Sequence, residues 1–440
     1  MARLNTKQKS TDTTHEGAPV RRTSDAQALR RSVMSCLLWE DNFYESGQEI
    51  AKRVADLAAN VSPDIVAALA VEARTTGNLR HAPLWLLNSL INRKDVKTPS
   101  LVRNTIAATV QRADEMPELL SMYWKGGRRP LSKQLQRGLA DAFGKFDAYQ
   151  LGKYNRDNAI SLRDVLRLTH VKPKDDAHAE ILRKLNEGTL EAPDTWEVAL
   201  SGGANKKETF ERLIKEGRLG YMALLRSLRL MDQNKVDHDL IKEAIIARKG
   251  AHRVLPFRYF SAVKHAPMFA DALGKALLAA IGDEPPMTGK TIVMVDTSGS
   301  MNSTISDKSE VMRYEIAAVL ASMVNGNVRL FHFADDCKEL PFYPGLAAVD
   351  TVRRSIGKVG HGTNIGSAVR AAERVGYDRL IVISDMQSHD RVGNHAKGAF
   401  GYMINVAPYK NSVGYGPWVN IDGFSESTLR FIREYESGTI

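Results

Sequence analysis

Asp296, Ser298 and Ser300 stand at alternate positions in the run KTIVMVDTSGSMN, residues 290–302, and bring three hard oxygen donors into one turn. Donors of this kind favour Mg²⁺ (or Ca²⁺ or Mn²⁺) over zinc. Two more oxygen donors occupy comparable settings. Thr363 lies in KVGHGTNIGSAV, immediately before a helical pattern, and Asp385 lies in RLIVISDMQS, just beyond an apolar run. One or two direct carboxylates with several hydroxyls leave a divalent ion under-neutralised, with a position open to water or an acidic group. Such a site binds carboxylate or phosphate. The surroundings offer no nucleophile–base pair, and two-metal phosphodiester cleavage needs more carboxylates than this set contains. A binding protein is therefore expected, not an enzyme. His361 and His389 flank the set and read as surface loop residues.

These five residues converge only if strands deliver them to one edge of one sheet. The stretch TIVMV is short, apolar and mostly β-branched, as a buried parallel strand requires, and DTSGS supplies a sharp exit. Beyond it, helical patterns near residues 310–324, 364–375 and 425–436 alternate with VRLFHF, RLIVIS and YMINV. Alternation of this kind predicts an α/β doubly wound sheet covered on both faces, with the five donors on its carboxyl-end loops. The pattern resembles the von Willebrand factor A domain and its metal-ion-dependent adhesion site. That resemblance covers residues 285–440 and implies that Asp296, Ser298, Ser300, Thr363 and Asp385 hold a divalent cation.

The sequence GDEPPMT, residues 282–288, reads as a linker, and the preceding residues 26–284 have a different character. AQALRRSVMSCLLWE, GQEIAKRVADLAANV, PDIVAALAVEARTTG, APLWLLNSLINRK and LSKQLQRGLADAFGKF repeat apolar residues at three- and four-residue spacing. A stacked, HEAT-like helical-repeat array is expected, with a compact all-α domain as the alternative. Residues 1–25 read as a flexible basic arm. The start lacks the apolar core of a signal peptide and no run is long enough to span a membrane, so a cytoplasmic protein is expected. Cys36 and Cys337 lie far apart and read as buried thiols, without a disulfide framework.

Charge divides the chain in the same place. Residues 286–440 hold 16 basic and 16 acidic side chains, leaving 45 basic and 35 acidic to the first 285 residues. A basic half beside a neutral half suggests a polyanion partner; the alternative is a basic surface that serves solubility. The charge is densest in KYNRDNAISLRDVLRLTHVKPKD, residues 153–175. Ser161 and Asp164 have capping-box spacing, and Pro173 ends the helix. Leu162, Val165, Leu166 and Thr169 share one face of it, while Arg163, Arg167 and His170 share another. Lys153, Arg156, Lys172 and Lys174 add charge at both ends. Such a stripe suits a phosphate backbone. On the pattern alone, a solvated amphipathic helix with a carbonyl-capping His170 fits equally well.

LRDVLRLTHVKP resembles the TROVE module of the Ro autoantigen and its bacterial, Rsr-type relatives, as do YMALLRSLRLM and VLPFRYFSAVK. A TROVE module followed by a von Willebrand factor A domain is the order seen here. The resemblance implies a monomeric ring of helical repeats bridged by the A domain, which acts in RNA quality control or ribonucleoprotein assembly. It implies Y-like noncoding RNA on the basic outer surface and ends of misfolded RNA in the hole. Its RNA contacts carry over to Lys153, Arg156 and His170. Arg163, Arg167 and Lys172 join them from the helical stripe, and Arg80, His81 and Arg258 are candidates for the ring lining. Tyr123, Trp124 and Tyr154 offer stacking faces, although core roles suit them as well. The resemblance also implies an exoribonuclease such as polynucleotide phosphorylase as a candidate partner. The contrasting expectation is a protein-interaction scaffold whose metal grips an acidic group on a partner.

Overall fold

A computed structural model describes residues 13–20, 24–34, 46–155, 159–191, 193–201, 203–254, 257–282, 285–305, 310–409, 411–414, 416–423 and 427–438. Cys36 and Arg156 lie outside the described residues. The chain forms two compact units: Lys52–Val254, and Met1–Ala51 together with Leu255–Ile440. Among the described residues, no helix is long and apolar enough to cross a membrane.

The unit Lys52–Val254 is helical. Pro63–Thr75 packs on His81–Ile91 and also on Leu101–Thr109, which packs on Lys133–Phe143, which in turn packs on Leu162–Thr169. Contact with the neighbour and the next-but-one helix is the pattern of a stacked array. Local chemistry sets the starts. Ser62 accepts a hydrogen bond from the Ile65 N–H with Pro63 at the first helical position, and Ser132 accepts one from the Leu135 N–H. Glu115 is fully buried, accepts from the Gln111 and Arg112 N–H groups, and pairs with Arg74 at 2.7 Å.

The second unit is built on a six-stranded sheet: β1 (Met287–Asp296), β2 (Gly326–Phe333), β3 (Cys337–Leu340), β4 (Arg379–Ser384), β5 (Phe400–Asn405) and β6 (Val419–Asp422). The order is β3-β2-β1-β4-β5-β6, all parallel except β3, which runs antiparallel to β2. Ile292, Met294, Leu380 and Val382 point to one face and pack with helix Ile365–Val375. Val293, Val295, Ile381 and Ile383 point to the other and are equally buried. Helix Arg313–Ser322 lies against β1 and β4 and is buried along its whole length. Its outer side is covered by helices Leu346–Arg353 and Phe257–His265, so it has no solvent face.

Three sequence expectations need adjustment. Within the stretch expected as an arm, residues 13–20 are anchored: Thr14 and Ala18 are buried, and Ala18 joins the core beside Ile292 and Met403. Its small methyl fills a gap that no apolar periodicity announces. The presumed linker already contains the start of β1, because Met287 pairs with Gly326 ahead of an irregularity between Met287 and Lys290. Helix Phe257–His265 and helix Ala270–Gly282 belong to the sheet-containing unit. Cys337 is a free, half-buried thiol, pushed up to about 12 by burial and the neighbouring Asp336.

His332, at the buried end of β2, stays neutral for a related reason. Burial holds its pKa down at about 4, with help from Lys338 and Lys358, against an ordinary 6.5. The unfolded chain takes up this proton below about pH 6.5, while the folded chain refuses it until about pH 4. Acidification through that window therefore favours unfolding. His332→Gln should flatten the fall of Tm between those pH values, measured by thermal unfolding; a parallel fall in both proteins would refute the assignment.

Candidate metal centre and nucleic-acid surface

β1 and β4 are adjacent, and the chain leaves β1 towards β2 on one side and reaches β4 on the other. That makes the β1/β4 boundary the topological switch point, where open α/β sheets leave a crevice at their carboxyl ends. Asp296 closes β1 and Asp385 follows β4 directly. The three donor-bearing loops are stitched pairwise. The Gly299 N–H donates to the His361 carbonyl at 2.9 Å, joining the Asp296 turn to the Thr363 loop. The His389 N–H donates to the Thr363 carbonyl at 2.7 Å, joining that loop to the one after β4. The Ser384 hydroxyl donates to Asp296 Oδ2 at 2.6 Å and closes the triangle.

All five predicted metal ligands are thus brought together, and all are buried, none more than 3% exposed. Asp296 Oδ1 accepts from the Ser298 N–H at 2.8 Å, and the Ser298 and Ser300 hydroxyl oxygens lie 3.4 Å apart. Asp385 Oδ1 accepts from the Gln387 N–H, whereas among the described residues its buried Oδ2 accepts no hydrogen bond. An orphaned carboxylate oxygen inside an all-oxygen donor set fits a hard divalent cation. Burial pushes both carboxyls up, that of Asp296 with a further contribution from Asp385. A cation would offset the same cost of desolvation and mutual repulsion.

Several contacts around this set escaped sequence reasoning. Arg313 is buried, with Nη1 3.8 Å from Asp385 Oδ2, and it donates to the Tyr409 hydroxyl. One buried guanidinium against two carboxylates leaves a single net negative charge, so a divalent ion turns the centre net positive and receptive to an anion. Ser384 holds Asp296, as described above. His389 is no idle surface histidine: its Nδ1 accepts from the Thr363 N–H at 3.0 Å, which leaves the proton on Nε2. That nitrogen faces Glu16 Oε2 at 2.6 Å. Residues 13–20 reinforce the same loop, with the Thr14 hydroxyl donating to the Ser388 carbonyl and the His15 N–H to Gln387 Oε1. Met386 holds φ +59 beside the site, a strained value for a residue with a side chain. Only the structure shows these contacts, because their partners lie far apart in sequence.

The expected nucleic-acid residues fall into two groups. Helix Leu162–Thr169 starts on the anticipated Ser161/Asp164 capping box and buries Leu162, Val165, Leu166 and Thr169. Arg167, His170 and Lys172 are exposed on it and just beyond. His170 ends the helix in the left-handed region, φ +50, which non-glycine residues seldom adopt. Arg163 is half-buried with its guanidinium against Gly188, and Lys153 lies about 6 Å from the ring centres of Tyr149 and Tyr154. The other group is neutralised or elsewhere. Arg80 pairs with Asp114 and Glu118 at 3.0 Å, and His81 meets Glu118 at 2.6 Å. Arg258 is exposed on helix Phe257–His265, in the unit that contains the sheet.

The TROVE-domain family model matches residues 20–189 and 186–266, more than half of the chain. The chain belongs to the TROVE-domain family. No curated protein matches it in sequence. Among solved structures, it is similar to the crystal structure of the Deinococcus radiodurans Ro (Rsr) protein, with a TM-score of 0.57 and 16% identity. The match covers 95% of this chain and 100% of that one, so the likeness of fold takes in the α/β unit as well as the TROVE helices.

Proposed function

We propose that this TROVE protein binds small, structured noncoding RNA of the Y type, and ends of misfolded RNA, in RNA quality control or ribonucleoprotein assembly. The observation that carries the reading is the exposed set Arg167, His170 and Lys172 at the end of a TROVE helix and just beyond it, in the half that holds the whole positive excess. Recognition is by shape and phosphate charge, since RNA helices present a major groove that side chains cannot read. The Mg²⁺-type centre plays a separate part: it offers an acidic-group dock, through which a protein such as an exoribonuclease is recruited. The completeness of that centre is also what favours the second reading, a metal-dependent interaction scaffold. The two readings separate on salt.

A mobility-shift titration against a structured small RNA should show log affinity falling linearly with log salt, by roughly 0.7–0.9 per phosphate contact. The double change Arg156→Ala/His170→Asn should weaken binding about tenfold or more at moderate salt. Asparagine tolerates the left-handed conformation that His170 occupies, so the helix end is kept. Unchanged affinity would place the RNA elsewhere. Salt-independent binding would favour the scaffold.

A further inference from the structure

We propose that the cavity between Trp124, Arg128, Arg129 and Arg167 is a site for an unpaired nucleotide, its base stacked on the Trp124–Arg128 pair and its phosphate held by arginine. The proposal rests on the RNA-binding reading and assigns that surface a defined pocket. The cavity measures about 410 Å³, with Pro130 and Leu168 completing its walls. That volume lies within the roughly 300–1,000 Å³ of small-ligand sites.

Its aromatic wall is built before any ligand arrives. The Trp124 indole N–H donates to the Arg129 carbonyl at 2.8 Å, and the Tyr123 hydroxyl donates to the Pro130 carbonyl at 2.9 Å. Gly127, at φ +115, supplies the reversal that folds residues 125–130 back onto these rings. The Arg129 guanidinium lies 3.9 Å from the Tyr123 ring centre and donates to the Tyr123 carbonyl and to Asn92, so it acts as a brace. Arg128 lies 5.2 Å from the Trp124 ring centre, is exposed, and forms no ion pair among the described residues. Arg167 donates its Nε–H to the neutral amide oxygen of Asn186 and is likewise free of any ion pair among them. The one carboxylate in the lining, Asp164, is held below its ordinary pKa first by the Ser161 N–H and hydroxyl, both donating to Oδ2, and then by the charges of Arg128 and Arg167.

The neighbouring cavity of about 380 Å³ gives the contrast. Its arginines, Arg80 and Arg112, meet Asp114 and Glu118 at 2.7–3.0 Å, so its charge is already satisfied. In the Trp124 cavity three arginines face one capped aspartate. A flat aromatic–guanidinium stack beside forked donors that outnumber their one carboxylate suits a nucleobase with its phosphate. Stacking on an aromatic face is open to every base, so the site is expected to tolerate any base. Arg167 shares its helix with the residues leading to His170, which makes the pocket continuous with the proposed RNA surface.

The test compares a blunt RNA duplex with the same duplex carrying a single-stranded oligouridine overhang, both titrated against the full chain. Trp124→Ala should cost about tenfold in affinity, equivalent to about 1.4 kcal/mol, for the overhang RNA alone. Trp124→Phe should keep most of it, and the exposed change Arg128→Glu should weaken overhang binding without touching the fold. If Trp124→Ala and Arg128→Glu leave both RNAs unaffected, or weaken both equally, the pocket is not a nucleotide site although RNA binding stands. If the wild-type chain binds neither RNA, the RNA-binding reading fails with it.

Discussion

Asp385→Asn should abolish the rise in Tm that Mg²⁺ or Mn²⁺ gives the wild-type protein, and weaken cation binding by at least about a hundredfold. Removing an outer-shell partner alone typically costs about 10–100-fold in affinity, and Asp385 is one of only two carboxylates in the donor set. For the wild-type chain, an ion at about 100 times its Kd contributes about 2.7 kcal/mol of stability. The metal-free variant should behave in the opposite sense. Burial raises the Asp385 carboxyl, and its charge raises Asp296 as well, so the ion-free pair opposes folding. Asp385→Asn removes that repulsion and should leave the chelator-treated protein at least as stable as wild type. Calorimetric cation titration together with thermal scans, with and without chelator, separates the two effects. A wild-type Tm indifferent to Mg²⁺, Mn²⁺ and Ca²⁺ would remove the metal centre altogether.

Glu436→Ala should cost about 3–5 kcal/mol, because it strands a charge inside the sheet-containing unit. Arg379, 3% exposed at the start of β4, is held by Glu436 from helix Ser427–Glu436 through two forked hydrogen bonds. The Tyr402 hydroxyl donates to the same carboxylate at 3.0 Å, and Arg379 also donates to the Thr291 hydroxyl and the Thr288 carbonyl. With Glu436 gone, the guanidinium keeps neutral partners but loses its counter-charge. A fall in Tm on the order of 10 °C is expected. The double change Arg379→Met/Glu436→Leu should recover much of it, since apolar residues of similar size often replace a buried pair without loss. A fall of no more than about 2 °C for Glu436→Ala would show the pair to be a surface contact in energetic terms.

The oxygen-donor set of the candidate metal centre was legible in the sequence because its information is local. Asp296, Ser298 and Ser300 lie within five residues, Thr363 stands just before a helix, and Asp385 stands just beyond a strand, both of which hydrophobic patterning marks. The main parallel strands were legible for the same reason. What sequence could not supply was set by partners remote along the chain. Arg313 lies in a helix buried on every side, whose pattern gives no face to read. β3 and β6 are four residues each and draw their pairing from strands already placed. On the helical side, the Ser161 cap and the buried face of its helix follow from spacing. The neutralisation of Arg80 depends on acids 34 and 38 residues away. The Trp124 cavity joins a loop to a helix some forty residues further on.

The anchoring of residues 13–20 beside Thr363 and Asp385 bears on the order of folding. The α/β unit takes its first pieces from the beginning of the chain and the rest from beyond Leu255. During synthesis, Ala18 and Thr14 emerge early and must wait until β4 and Ser388 have been made before they find their places. The helical array between them can fold from its own near-neighbour contacts in that interval. The sheet unit therefore closes last, over a long chain separation, and is expected to be the slower step. Translation has to pass His389 before the donor set of the candidate metal centre and its supporting contacts can be assembled.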